Sequence, residues 1–218
     1  MGKPIIYLNP FDIMKYLSFL LFFITACSTT NNLILSSMDE YQTEIQAYQT
    51  HLNEEYKDSL KSPLTREDRL VFEALEFYKI NPAFRVVAKF KEKKSALFAM
   101  KTTTDRMPEY RKYGELYFEL KGKKFKLNVY QNPSLMTRPG YEDYLFLPFT
   151  DPTNGDKTYG GGRYIDFRIP TSTEVILDFN KAYNPYCAYN SEFSCPIPPP
   201  ENDISVAIEA GVMAWDNY

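Results

Sequence analysis

The sequence predicts a mainly β fold of the α+β class, an antiparallel β-barrel or sandwich with two N-terminal helices. Three observations predict it. Apolar residues recur every three or four positions from Tyr41 to Leu60 and, from Phe84 onward, at every second position. The alternating runs are short and bounded by clusters of Gly, Pro, Asn and Asp. Strand-like and helix-like runs do not alternate, as a parallel α/β sheet requires.

Tyr41, Ile45, Tyr48, Leu52, Tyr56 and Leu60 share one helical stripe, which places an amphipathic helix over 39–60. Ser62-Pro63 breaks it. Thr65 and Asp68 resemble a capping box, and Val71, Phe72 and Leu75 share a face, so a second helix is expected over 66–78, stopped by Asn81-Pro82. Phe84, Val86, Ala88 and Phe90 then alternate with mostly charged residues as a half-buried strand does. Leu116, Phe118 and Leu120 run through Lys121-Gly122-Lys123-Lys124 into Phe125, Leu127 and Val129, a hairpin. Further strands are expected at 95–101, 144–149, 163–169, 175–179 and 204–209, making eight.

The chain has 218 residues, with 25 Lys+Arg against 28 Asp+Glu, one His and three Cys. A mildly acidic balance offers no footprint for a phosphate backbone, so nucleic acid is not an expected partner. One imidazole excludes multi-histidine metal sites, and a histidine-based triad would have to use His51. His51 sits one position before Leu52 of the apolar stripe, which reads as a boundary residue. GxxxxGK[ST], GxGxxG and HExxH are all absent from the sequence.

Met14-Lys15 opens a basic start followed by eleven mostly apolar residues, Tyr16 to Ala26. As a helix these cover roughly 16 Å, about half a bilayer core, which suits a signal h-region and not a span. The segment 1–13 carries Pro4, Pro10 and Asp12 and fits no n-region, so Met14 is the expected start. Ile24-Thr25-Ala26-Cys27 resembles the bacterial lipobox. That resemblance implies cleavage before Cys27 and diacylation of its sulfur, with membrane lipid as the partner. Two or more acyl chains, at about 0.8 kcal/mol per buried methylene, anchor stably where one is marginal. The alternative is a short buried helix with an incidental cysteine. The organisation expected is a signal peptide over 1–26, a lipidated tether over 27–37 and a single β-rich domain over 38–218.

The C-terminal third interrupts its alternation with glycines, prolines, amides and carboxylates. Its elements are Thr158-Tyr159, Gly162-Arg163-Tyr164, Asp178-Phe179-Asn180, Asn184-Pro185-Tyr186-Cys187-Ala188 and Cys195-Pro196-Ile197-Pro198-Pro199 with Glu201-Asn202. In type and order they resemble the bacterial and archaeal family called domain of unknown function 1684, over about 38–211. After Ala210-Gly211 the family pattern continues with an acidic residue and a lysine, where this chain has Val212 and Met213. The resemblance implies a domain boundary and a motif, and no reaction.

Read physically, Gly160 to Gly162 leave a backbone that a ligand or another strand can approach closely, and the Arg163 guanidinium can grip a carboxylate at two points. Tyr164, Asp166 and Arg168 share one strand face, and Asp178 and Asn180 share another. If those strands pair, they form a polar patch, with Tyr159, Asn184, Glu201 and Asn202 as further candidates. It is either a ligand site or a buried ion pair that sets register. Asp151 to Asp156 resembles a cation loop but fails the alternating ligand spacing, and Asp-Pro and Asn-Gly make it a turn. In an oxidising envelope Cys187 and Cys195 would form a disulfide closing about nine residues, contributing roughly 2.5 kcal/mol by chain entropy. Buried free thiols and a catalytic thiol are the other readings.

The function expected is therefore that of an envelope lipoprotein facing the periplasm or the cell surface, with a noncatalytic binding or structural domain. The alternative is an envelope hydrolase using Asp166, Asp178 and Arg163, or Cys187. No cofactor or metal is implied, and no catalytic residue is assigned.

Overall fold

The computed structural model describes residues 37–215, so the expected signal, Cys27 and all but the last residue of the tether lie outside the described residues. The chain divides into two compact units, Met1–Gln46 and Ala47–Tyr218. The described residues of the first, 37–46, are helical, and the second opens with helical residues 47–57. Helix α1 is therefore described over 37–57, shorter at its end than the stripe predicts, because the Asp58 carbonyl and carboxylate turn the chain by accepting from Ser62 N–H at 2.8 Å and Leu60 N–H at 2.9 Å. Leu60 is left exposed.

Helix α2 covers only Arg66–Val71. Its cap is as expected, with Asp68 N–H donating to Thr65 Oγ1 at 3.1 Å. It does not reach position 78. Phe72 turns to extended backbone, Asn53 Oδ1 accepts from Leu75 N–H at 2.8 Å, and Phe77 bridges to Val212. Tertiary partners thus draw Phe72 and Leu75 into a small core with Tyr56 and Tyr189, while Val71, expected on the same face, is exposed.

Seven strands form one sheet: β1 Arg85–Glu92, β2 Phe98–Ala99, β3 Glu109–Leu120, β4 Lys123–Gln131, β5 Tyr144–Phe149, β6 Arg163–Arg168 and β7 Glu174–Asp178. Every ladder is antiparallel, in the order β6-β5-β4-β3-β1-β7, with β2 beside β3. The expected hairpin is present, with Leu120 opposite Lys123 across a two-residue turn in which Lys121 and Gly122 both have positive φ.

One face of this sheet gathers Ala88, Leu116, Phe118, Leu127, Val129, Leu145, Leu147, Ile165 and Leu177 into the main core. Phe149 ends β5 and Phe179 follows β7, four ladder steps away, or roughly 19 Å in a flat sheet. Their rings nevertheless meet edge to face at 5.3 Å between centroids, so the sheet is curled around its core.

The expected eighth strand is not one. Residues 204–209 lack strand geometry, although Ile204 and Ile208 are wholly buried. Their alternation reports burial in the core, and side chains take up both the N–H and the carbonyl of Ile208.

Candidate functional site

The polar residues of the C-terminal third do not form one patch, because β6 and β7 lie at opposite ends of the ladder order. They form four separate arrangements. Three of these fasten the chain.

The first is built on Arg163. Its side chain and that of Asp151 are both 0% exposed and meet at 3.0 Å. The guanidinium also donates to the carbonyls of Ile208 at 2.8 Å and Ala210 at 2.5 Å. Asp151 Oδ2 accepts from Ile208 N–H at 2.8 Å and from Thr153 N–H and Oγ1 at 3.1 and 2.9 Å. Burial pulls the Arg163 guanidinium below its ordinary range, while Asp151 opposes that shift. At Gly162 the expected space is filled by the chain itself: a Cβ there, where φ is +86°, would stand 2.6 Å from the Phe149 carbonyl oxygen. The segment 151–156 is a turn, as expected, closed by Asn154 N–H on the Asp151 carbonyl at 3.0 Å.

The second is Asn202, also fully buried. Its Oδ1 accepts from Asn128 N–H at 2.8 Å, and its Nδ2 donates to the carbonyls of Asn128 at 2.9 Å and Pro148 at 2.6 Å. Pro148 has no N–H for β4, and the side-chain amide replaces the missing peptide group between β4 and β5. Neighbouring Glu201 is exposed and accepts from Tyr130 OH at 3.2 Å.

The third joins Asp178 and Asn180, with Asn184 fastening the chain separately nearby in sequence. Asp178 Oδ1 accepts from Asn180 N–H at 2.9 Å, and Asn180 exchanges two bonds with the Asn81 backbone, each 2.9 Å. Asn184 Nδ2 donates to the Met213 carbonyl at 2.8 Å. Arg163 therefore pairs with Asp151 and not with Asp178, whose nearest cation is Arg85 at 3.9 Å. The three residues of the hydrolase reading are not brought together.

The fourth arrangement is open to solvent. Asp166 and Tyr164 line a cleft of about 510 Å³ together with residues of α1, the start of β5 and the loops 135–141, 183–186 and 193–196. Asp166 is exposed, and its Oδ1 accepts from Tyr144 OH at 2.7 Å and Tyr183 OH at 2.5 Å. Its Oδ2 has no hydrogen bond among the described residues. Burial, with the Asp166 charge adding to it, holds the Tyr144 and Tyr183 hydroxyls well above the usual phenol range, so both remain donors at neutral pH. Tyr164 OH donates to the Pro196 carbonyl and Tyr48 OH to the Lys181 carbonyl at 2.9 Å. His51 lies at the rim, 3.7 Å from Glu55, and with Asp166 makes no dyad contact.

Cys195 lines the cleft, and it and Cys187 both carry free thiols, with Cys187 N–H donating to Cys195 Sγ at 3.1 Å. A hydrogen bond from the Cys195 thiol pushes Cys187 down to about 6. Tyr159 OH is 3.7 Å from Cys187 Sγ.

Sequence reasoning missed Tyr48 and Tyr144, the pairing of Tyr183 with Asp166 and that of Asp151 with Arg163. Tyr48 reads as one more member of the helix stripe, and Tyr144 and Tyr183 come from distant segments with no shared spacing. The Asp-Pro of a turn gives no sign that its carboxylate is buried.

A family model described as "Protein of unknown function (DUF1684)" matches residues 71–213. The chain is also similar to the solution NMR structure of an uncharacterized protein from Haloarcula marismortui, at 29% identity and a TM-score of 0.65, over 84% of this chain and 99% of that one. None of the curated proteins matches.

Proposed function

The chain belongs to the DUF1684 family of proteins of unknown function, and from that premise we propose that it is a membrane-anchored envelope lipoprotein whose β domain is a noncatalytic binding module. The anchor is the acylated Cys27, and the face presented is periplasmic or extracellular. The curled sheet is a half-barrel, and the cleft against β5 and β6 is where the ligand sits.

One observation carries the binding reading. Asp166 stands in the wall of a cleft large enough for a small molecule, oriented by two tyrosine hydroxyls and with one carboxylate oxygen unspent among the described residues. The other polar residues of the motif are consumed by the fold, which supports a scaffold that displays this site. In the same oxidising compartment Cys187 and Cys195 close into a disulfide and stiffen the loop that bears Tyr186.

A ligand-observed NMR screen of mixed neutral, cationic and anionic fragments against the full chain in detergent tests the proposal. Fragments should bind, and Asp166→Asn combined with Tyr183→Phe should displace them. Unchanged binding in the double variant removes the cleft as the site.

A further inference from the structure

The chemistry of the cleft selects among ligands. The phenol hydroxyls of Tyr48, Tyr144, Tyr164 and Tyr183 are all donated to partners inside the protein. What these four residues still offer a ligand is ring surface and oxygen lone pairs, both electronegative. The charged side chains of the lining are two carboxylates, Asp166 and Glu55, against one guanidinium, Arg138. A sugar or an anion that reached the Asp166 end of the cleft would look for donors and find those of these four tyrosines already committed. A cation finds a carboxylate oxygen without a hydrogen bond among the described residues and aromatic walls on several sides.

We infer that the cleft takes a small organic cation, a tertiary or quaternary ammonium group, seated between the Asp166 carboxylate and the rings of Tyr144, Tyr164 and Tyr183. The inference rests on the reading of the cleft as a ligand site. Alkylation of the nitrogen matters for a physical reason. A primary ammonium carries three N–H donors that each require an acceptor when water leaves, and Asp166 Oδ2 supplies one. An alkylated ammonium asks for one or none, is weakly hydrated, and is attracted by the negative faces of aromatic rings. The tyrosines suit this role because burial keeps their hydroxyls protonated, so the walls bear no charge of their own. At about 510 Å³ the cleft holds an alkylammonium head with a short tail reaching toward Arg138.

The test uses choline as the probe and 3,3-dimethylbutanol as its neutral isostere, each titrated into the full chain in detergent while the ring resonances of Tyr144 and Tyr183 are followed by NMR. Choline should shift both resonances saturably, and the isostere should bind about tenfold more weakly or worse. Asp166→Asn should weaken choline by at least about tenfold while leaving thermal unfolding in place, because Asp166 is exposed and an amide oxygen can still accept from the Tyr144 and Tyr183 hydroxyls. If that variant does not fold, the choline-to-isostere ratio in the unaltered protein decides alone. Equal affinity for choline and its isostere overturns the inference, as does choline binding that is indifferent to Asp166→Asn. A neutral or anionic fragment that shifts these resonances where choline does not overturns the cation and keeps the site. Silence of both resonances to fragments of every charge overturns the site as well.

Discussion

Arg163 and Asp151 meet at 3.0 Å with both side chains wholly withdrawn from solvent, and together they hold both the N–H and the carbonyl of Ile208. The ion pair stands where a neighbouring strand would otherwise be. It lets the apolar residues of 204–212 enter the core without a ladder, since buried backbone groups must find partners somewhere.

Removing one member leaves the other as an uncompensated buried charge and also frees the Ile208 backbone. Arg163→Ala and Asp151→Ala should each destabilise by about 3–5 kcal/mol. The double variant Arg163→Ala with Asp151→Ala should cost less than the two single effects added together. Urea unfolding of the four proteins checks both statements, and additive losses would show that the pair is not coupled.

Asn202 completes the sheet at Pro148. Asn202→Ala removes three hydrogen bonds between buried groups and should cost about 2–4 kcal/mol, whereas Asn202→Asp should fail differently, because its carboxylate can accept from Asn128 N–H but cannot donate to the two carbonyls. Hydrogen exchange at Asn128 N–H reads the local loss directly, and unaltered protection in Asn202→Ala would refute the role.

On the opposite face of β3, Glu115 is 1% exposed. Its Oε2 accepts from Tyr117 OH at 2.7 Å, and Lys112 and Lys93 stand 3.1 and 3.2 Å from Oε1. These contacts, the Tyr117 hydrogen bond foremost, lower its carboxyl from 4.5 to about 2. A carboxyl depressed in the folded state stabilises the fold above its unfolded value and loses that contribution as pH falls through the folded one. Stability should therefore decline between pH 4.5 and about 2. Glu115→Gln should be less stable by about 1–3 kcal/mol at pH 7 and lose less over that window, as thermal melts across the range would show.

Counting thiols in the unfolded, unreduced exported protein should find Cys187 and Cys195 bridged. In the reduced protein the first of the pair should alkylate with a rate that rises through about pH 6, since Cys187 becomes the thiolate as pH passes that value. Two free thiols in the exported protein would remove the bridge, and a rate that rises only near pH 8–9 would remove the lowered Cys187.

The anchor has its own test. Mass spectrometry of the membrane-bound protein should give an N-terminal peptide beginning at Cys27 with acyl mass added, and Cys27→Ser should release the protein from the membrane fraction. An unmodified Cys27 in membrane-bound protein would sink the lipoprotein reading.

The period-two runs of Phe84 to Phe90 and Leu116 to Val129 were legible because a strand with one buried face repeats every second residue whatever lies beside it, and Tyr144 to Phe149 was legible as a short apolar run. The Thr65 cap and the Lys121-Gly122 turn were legible for the same local reason. Three elements were not. The second helix ends at Val71 because Asn53 and Val212 claim the residues beyond it, and 204–209 alternates like a strand because it is buried like one. The partner of Arg163 could not be read at all, since Asp151 and Asp178 both lie within plausible reach along the chain.

The amino-acid order alone determined the mostly β class, most of the strands, and which polar residues of the last third would be unusual. Tertiary structure decided what those residues do: it buried Arg163, Asn202 and Asn180 as fasteners and left Asp166 at a cleft with tyrosines drawn from three distant segments. The division is physical. Periodicity and capping are set within a few residues of chain, whereas a carboxylate is taken up by the fold or offered to a ligand according to which groups the sheet's strand order carries to its side.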